Sequence, residues 1–133
     1  MKILALDLGL QRIGVAVSDG KVVGSLPVIE SGDRQAAVQQ ISKICREENI
    51  EVIVLGLSPN ESTENADMVR SFALEINKML PIPIKYIDES FTSKEAERLL
   101  TSSKFDPKSK EYKQEVDKLS AKIILEQYLQ EYE

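Results

Sequence analysis

Ile3-Leu4-Ala5-Leu6-Asp7-Leu8-Gly9-Leu10-Gln11-Arg12 decides how the rest of the chain is read. In an extended segment Ile3 and Ala5 fall on one face and Leu4 and Leu6 on the other, so both faces are apolar. Such a strand belongs in the middle of a sheet covered on both sides. Asp7 closes the strand just before a turn through Leu8 to Arg12. A carboxylate at the exit of a buried strand needs hydrogen bonds, a cation or a metal to hold its charge. Alone, an Asp near a Gly is more often a turn cap; what changes the balance is the delivery of further acids to the same edge.

Working outward, Ile13-Gly14-Val15-Ala16-Val17-Ser18 alternates branched and small residues. Asp19-Gly20 then separates it from Val22-Val23-Gly24-Ser25-Leu26-Pro27-Val28-Ile29. Asp-Gly between two such runs is a strong hairpin signal, because both residues tolerate positive φ. The first three strands therefore form an antiparallel meander. Asp33 is placed to cap a helix in which Ala36, Ala37, Val38, Ile41, Ile44 and Cys45 recur at helical spacing to about Glu48. Glu51-Val52-Ile53-Val54-Leu55-Gly56-Leu57 is a fourth strand, set parallel to the first by a right-handed crossover.

Residues 58–63 form a polar loop leading into a helix that buries Ala66, Val69, Phe72, Ala73, Ile76, Met79 and Leu80. Pro81-Ile82-Pro83 ends that helix, and Ile84-Lys85-Tyr86-Ile87-Asp88 is a fifth strand. Thr92-Ser93-Lys94-Glu95 matches a capping box and opens a helix through Leu99-Leu100. Residues 101–113 are polar and lysine-rich and read as a mobile surface loop. The last helix turns Val116, Leu119, Ile123, Ile124 and Leu125 inward and runs to about Tyr132. The expected fold is a single α/β domain over residues 1–133. Its five-stranded mixed sheet joins a three-strand antiparallel meander to two parallel strands, with helices on both faces.

Composition narrows the chemistry. The chain of 133 residues contains no histidine and one cysteine, and carries a net charge of −5. Without histidine there is no imidazole base, no His-dependent serine triad and no His-ligated zinc. Any metal must be held by oxygen, which points to Mg2+ or Mn2+. Cys45 lies among Ile41 and Ile44 and reads as a small core residue. No apolar run approaches the roughly 20 residues of a membrane span, and no signal-peptide pattern opens the chain. The expectation is a soluble cytoplasmic protein with no membrane partner, monomeric or weakly dimeric. The acidic balance argues against patch-wide nucleic-acid binding but leaves room for a local basic strip or a metal-bridged phosphate.

In a sheet whose first, fourth and fifth strands are parallel, the three carboxyl ends open on one edge, where open α/β sheets place their ligands. Asp7 and the Asp88-Glu89 pair end strands there. Ile84, Tyr86 and Asp88 alternate onto one face, and Ile87 and Glu89 onto the other, so only one acid of the pair can turn toward Asp7. Asp117 shares a helix face with Ser120, Ala121 and Ile124, at i+3, i+4 and i+7. That spacing fits a carboxylate pressed against the sheet and equally an exposed first-turn Asp favoured by the helix dipole. Converging carboxylates repel, and with one or two Mg2+ ions they become a site for phosphodiester hydrolysis that needs no histidine.

The chain resembles the YqgF (RuvX) family of RNase H-like proteins, relatives of Holliday-junction resolvases regarded as pre-16S rRNA nucleases. Four ordered segments carry the resemblance: Leu4 to Gly9 with Gln11 to Asp19; Ile53 to Leu57; Tyr86 to Glu89 with Thr92 and Ala96-Glu97; and Val116-Asp117 with Ala121 and Ile124-Leu125. The resemblance implies an RNase H-like fold, with Asp7, Glu89 and Asp117 as the metal-binding catalytic acids, Asp88 standing as the alternative to Glu89. It also implies a phosphate contact at Arg12 and a nucleic-acid substrate, either pre-rRNA or branched DNA, with association with the ribosome. Lys94, Lys104 and Lys110 are the further expected substrate contacts. This chain departs from the family pattern at Ser90, where an Arg is usual, and in Ser58-Pro59-Asn60-Glu61-Ser62-Thr63. A reading of another class is a binding factor without catalysis, whose lysine strip would hold nucleic acid with no need of the acids.

Overall fold

The computed structural model describes residues 1–57, 63–88, 96, 98, 99 and 108–132, the side chains of 63 and 132 excepted. Five strands form one sheet in the order β3-β2-β1-β4-β5. They are β1 (Ile3–Leu8), β2 (Arg12–Ser18), β3 (Val23–Glu30), β4 (Val52–Gly56) and β5 (Ile84–Ile87). β1–β2 and β2–β3 pair antiparallel, whereas β1–β4 and β4–β5 pair parallel. The opening strand is thus the central one. Its residues Ile3 to Leu6 have no exposure at all, as a strand apolar on both faces requires.

Helices α1 (Arg34–Glu47) and α2 (Thr63–Met79) cover one face, and α3 (Lys110–Tyr132) covers the other. Leu4, Leu6, Ile13, Val15, Ile53 and Leu55 meet α1 and α2 through Val38, Ile41, Phe72 and Ile76. Ile3, Ala5, Ala16, Val54 and Ile87 meet α3 through Ala121, Ile124, Leu125 and Tyr128. Each large side chain so buried contributes about 1.5–3 kcal/mol. Cys45 lies in the first of these layers, 2% exposed. Burial pushes its thiol up to about 11.

The local signals behave as their chemistry dictates. Asp33 caps α1, its carboxylate accepting from the Ala36 N–H at 3.2 Å. Asp19 Oδ1 accepts from the N–H groups of Lys21 at 2.9 Å and Val22 at 3.1 Å, and these bonds hold its carboxyl below the ordinary value. Gly20 supplies the positive φ, 104°, that the hairpin needs. Arg34 ties α1 to α2 through Glu75 at 2.9 Å and Ser71 at 2.8 Å.

Three expectations are corrected: Met79, expected on the buried face of α2, is 45% exposed, and two concern the last helix. The last helix starts at Lys110, so residues 110–113 are helical and not loop. Ser109 caps it, its Oγ accepting from the Tyr112 N–H at 3.1 Å, and Lys, Glu and Gln are good helix formers that need no apolar period. Its inward face is also rotated. Ser120, Ala121, Ile124, Leu125 and Tyr128 are buried, whereas Val116, Leu119 and Ile123 are half-buried. The helix expected from Thr92 to Leu100 lies mostly outside the described residues.

Candidate active site

β1 and β2 pair with Ala5 opposite Ala16 and Asp7 opposite Gly14. Ile3 and Ala5 face α3, and by alternation Asp7 shares that face at the carboxyl end of the strand. Gly14 then decides how near α3 can come. A Cβ built there would collide with the Asp117 backbone carbonyl, with its carbon at 2.7 Å and the Ala121 Cβ at 3.4 Å. The helix therefore lies directly on the bare backbone of Gly14, whose neighbour across the ladder is Asp7. Paired antiparallel residues have Cα atoms about 4.5–5.5 Å apart, so Asp7 and Asp117 flank one glycine.

The ladder is irregular at the same place. Ile13 pairs with Ile29 and Val15 with Leu26, so Pro27 and Val28 of β3 stand against Gly14 alone. This is a bulge, a device found beside active sites. Pro27 is tolerated there because β3 is an edge strand and an absent N–H costs no interior bond.

Arg12, two residues before Gly14, lies on the α3 side of β2. Its Nε donates to Asp117 Oδ2 at 2.6 Å, and both side chains are about one-fifth exposed. Burial pushes the Asp117 carboxyl above its ordinary value, and the hydrogen bond and charge of Arg12 pull it part of the way back. Arg12 therefore orients the carboxylate and offsets its charge. Three groups from three elements, Asp7 of β1, Arg12 of β2 and Asp117 of α3, thus share one rim.

Of the remaining expected residues, Asp88 and Lys110 are described. Asp88 follows β5 and is exposed; Ile87 beside it packs toward α3, so Asp88 is out of phase with Asp7. Lys110 is in the first turn of α3, 3.7 Å from Glu30. Glu89, Lys94 and Lys104 lie outside the described residues. Among the described residues no three acidic or cysteine side chains gather in metal-holding geometry. Asp7 and Asp117 offer only oxygen donors and fit a hard divalent cation as two of its ligands.

Sequence reasoning passed over a cavity of about 700 Å³ next to this rim, lined by Arg12, Glu30, Asp33, Gln40, Lys108, Lys110 and Lys113. The lysines were visible as a charge run, and Arg12 and Lys110 were expected as substrate contacts, but nothing in the sequence joined them to Gln40, Asp33 and Glu30 in one cavity. Gly14 was visible only as a small residue in a strand.

Comparison with known proteins bears on this arrangement. A family model described as "RuvX: Holliday junction resolvase" matches residues 1–131. A protein of Crocosphaera subtropica named "Putative pre-16S rRNA nuclease" is 39% identical over 131 residues, covering 95% of this chain and 90% of its own. One of the same name from Bacteroides fragilis is 34% identical over 137 residues, covering 97% and 96%. Among solved structures, the Thermus thermophilus RuvC bound to a Holliday junction superposes with a TM-score of 0.58 at 14% identity, covering 99% of this chain and 96% of its own. The fowlpox virus resolvase, also solved with junction DNA, reaches 0.61 at 10% identity, covering 98% of each chain. These two likenesses establish the RNase H-like resolvase fold, and the family match with its relatives establishes that the chain belongs to the RuvX family of Holliday junction resolvases.

Proposed function

We propose that this chain is a cytoplasmic, metal-dependent endonuclease that hydrolyses phosphodiester bonds in pre-16S rRNA. The observation that carries the reading is the packing of the Asp117 backbone on Gly14, directly across the ladder from Asp7. It sets two carboxylates from distant parts of the chain on one rim of a sheet whose relatives are named as nucleases of that RNA. Glu89, which lies outside the described residues, is our third carboxylate, as the sequence resemblance implies.

Asp7, Asp117 and Glu89 would hold Mg2+ or Mn2+ through oxygen. Bound there, such an ion supplies Lewis acidity, activating water for attack at phosphorus and neutralising charge on the departing oxygen. Arg12 holds Asp117 in a fixed rotamer, because a carboxylate gripped at one oxygen cannot swing freely. The β1–β2 turn is itself anchored, since Ser31 donates through Oγ to the Gly9 carbonyl at 2.9 Å and through its N–H to the Gln11 carbonyl at 2.9 Å. Asp7 is thereby delivered from a fixed backbone.

The test is Asp7→Asn, which keeps the shape and removes the charge. Purified protein is incubated with pre-16S rRNA and, in parallel, with a four-way DNA junction, each with Mg2+ and with chelator. Mg2+-dependent cleavage of the RNA by the wild type and its loss in the variant are expected. Undiminished cleavage by Asp7→Asn would overturn the proposal. Preferential cleavage of the junction would move the substrate to branched DNA.

A further inference from the structure

The cavity beside the rim draws its walls from separate elements. Arg12 comes from β2, Glu30 from the end of β3, Asp33 from the cap of α1, Lys108 from the turn before α3, and Lys110 and Lys113 from its first turns. Three lysines and Arg12, the last paired with Asp117, face two acids there, in a chain whose net charge is −5. Both acids are already engaged: Asp33 caps α1 through the Ala36 N–H, and Glu30 lies 3.7 Å from Lys110. The N-termini of α1 and α3 both border the space, and each adds the partial positive charge of its helix dipole. Its volume, about 700 Å³, lies within the roughly 300–1,000 Å³ of ligand pockets. With both acids engaged, the three lysines and two helix N-termini favour an extended anion.

Its position says which one. Lys110, Lys113 and Asp117 recur at i, i+3 and i+7 on α3, so they stand in a row along one face. At 1.5 Å per residue, Lys113 lies about 6 Å and Lys110 about 10 Å along the axis from Asp117. A nucleic-acid strand advances about 3.4 Å per nucleotide in a duplex, so this row spans roughly two to three nucleotides. Arg12 joins the two places, since it lines the cavity while its Nε holds Asp117.

We propose that this cavity is a flanking-phosphate subsite, which grips the phosphodiester backbone of the substrate strand two to three nucleotides from the point of cleavage. The proposal rests on the nuclease reading for the location of that point. The grip itself needs neither metal nor catalysis. A strand held there is registered against the carboxylates before any bond is broken, and Arg12 couples the two places through one side chain.

The experiment is a fluorescence-anisotropy titration of labelled single-stranded RNA and of DNA of the same sequence, about ten nucleotides long. It is run in chelator between roughly 50 and 200 mM salt. Lys108→Gln with Lys113→Gln neutralises two exposed cavity cations. Lys43→Gln with Lys78→Gln removes the same charge from the exposed surfaces of α1 and α2. The cavity pair is expected to bind about tenfold more weakly and to lower the salt slope by about 1.4, or 0.7 per lost contact. The surface pair should bind as wild type does. Gln40→Glu, which places a negative charge inside the cavity, should reproduce the weakening without removing a lysine. Loss on both nucleic acids supports the shared backbone as ligand, and loss on RNA alone assigns the subsite to RNA. Equal losses for the cavity and surface pairs, or no loss for the cavity pair, overturn the proposal. An Asp7→Asn protein that binds in the same cavity-dependent way, from a wild type that cleaves nothing, would sink the nuclease reading and leave the subsite standing.

Discussion

Replacing Gly14 by alanine tests the packing on which the site depends. The added methyl group would meet the Asp117 carbonyl carbon at 2.7 Å, and the carbonyl oxygen more closely still. Carbon atoms prefer about 3.5–4.0 Å, so α3 must retreat by about 1 Å or β2 must bend. The obstacle is helix backbone on one side and a central ladder on the other, so neither can yield by rotating a side chain. Overpacking of this kind costs about 1–3 kcal/mol. For a domain of this size that is a fall in Tm of roughly 4–12 °C. The loss of activity should exceed the loss of stability, because a 1 Å error in the placement of a reacting group is worth about a hundredfold in rate. We expect Gly14→Ala to stay folded at 25 °C by circular dichroism, to melt early, and to cleave about a hundredfold more slowly at saturating Mg2+. A variant with wild-type Tm and wild-type cleavage would show that α3 does not set the distance between Asp7 and Asp117.

Three other outcomes follow from particular contacts. Arg12→Ala should cost about 1.5–3 kcal/mol in urea unfolding, the range for a hydrogen bond to a charged group; Arg12→Lys should recover only part, since a lysine cannot reproduce the planar donor geometry. Ser120 is fully buried, and its Oγ has no partner among the described residues. Ser120→Ala should therefore raise Tm by a few degrees, as removing an unsatisfied buried hydroxyl recovers about 1 kcal/mol. Cys45 should be inert to a thiol reagent at pH 8 in the native protein and reactive in denaturant. Because its folded pKa of about 11 exceeds the ordinary 9.0, the stability it contributes is complete below about pH 9 and is lost as pH climbs through 11. Urea midpoints between pH 8 and pH 11 should show that fall.

Much of the fold was legible because its signals are local. The double-sided apolar run of β1, the Asp19-Gly20 turn and the Asp33 cap each depend on neighbours within a few residues. The start of α3 was not legible by apolar period, because residues 110–115 form helix by propensity and by the Ser109 cap. The site was legible only as a list of acids. Arg12 and Asp117 lie 105 residues apart, and no periodicity reports such a pairing. Gly14 looked like any small strand residue until α3 was seen lying on it. Pro27 carried a usable hint, since proline inside a strand marks an edge or a bulge, and the bulge it marks stands against Gly14.

The packing of α3 on Gly14 also sets the order in which the rim is assembled as the chain is made. β1 precedes α3 in the chain by about a hundred residues, and one wall of the core is missing until Ala121, Ile124, Leu125 and Tyr128 arrive to close it. A nascent chain truncated before α3 carries Asp7 but not Asp117, and one face of its sheet is bare. The rim that joins Asp7 to Asp117 is therefore completed only when α3 closes over the sheet, well after β1 and β2 have been made.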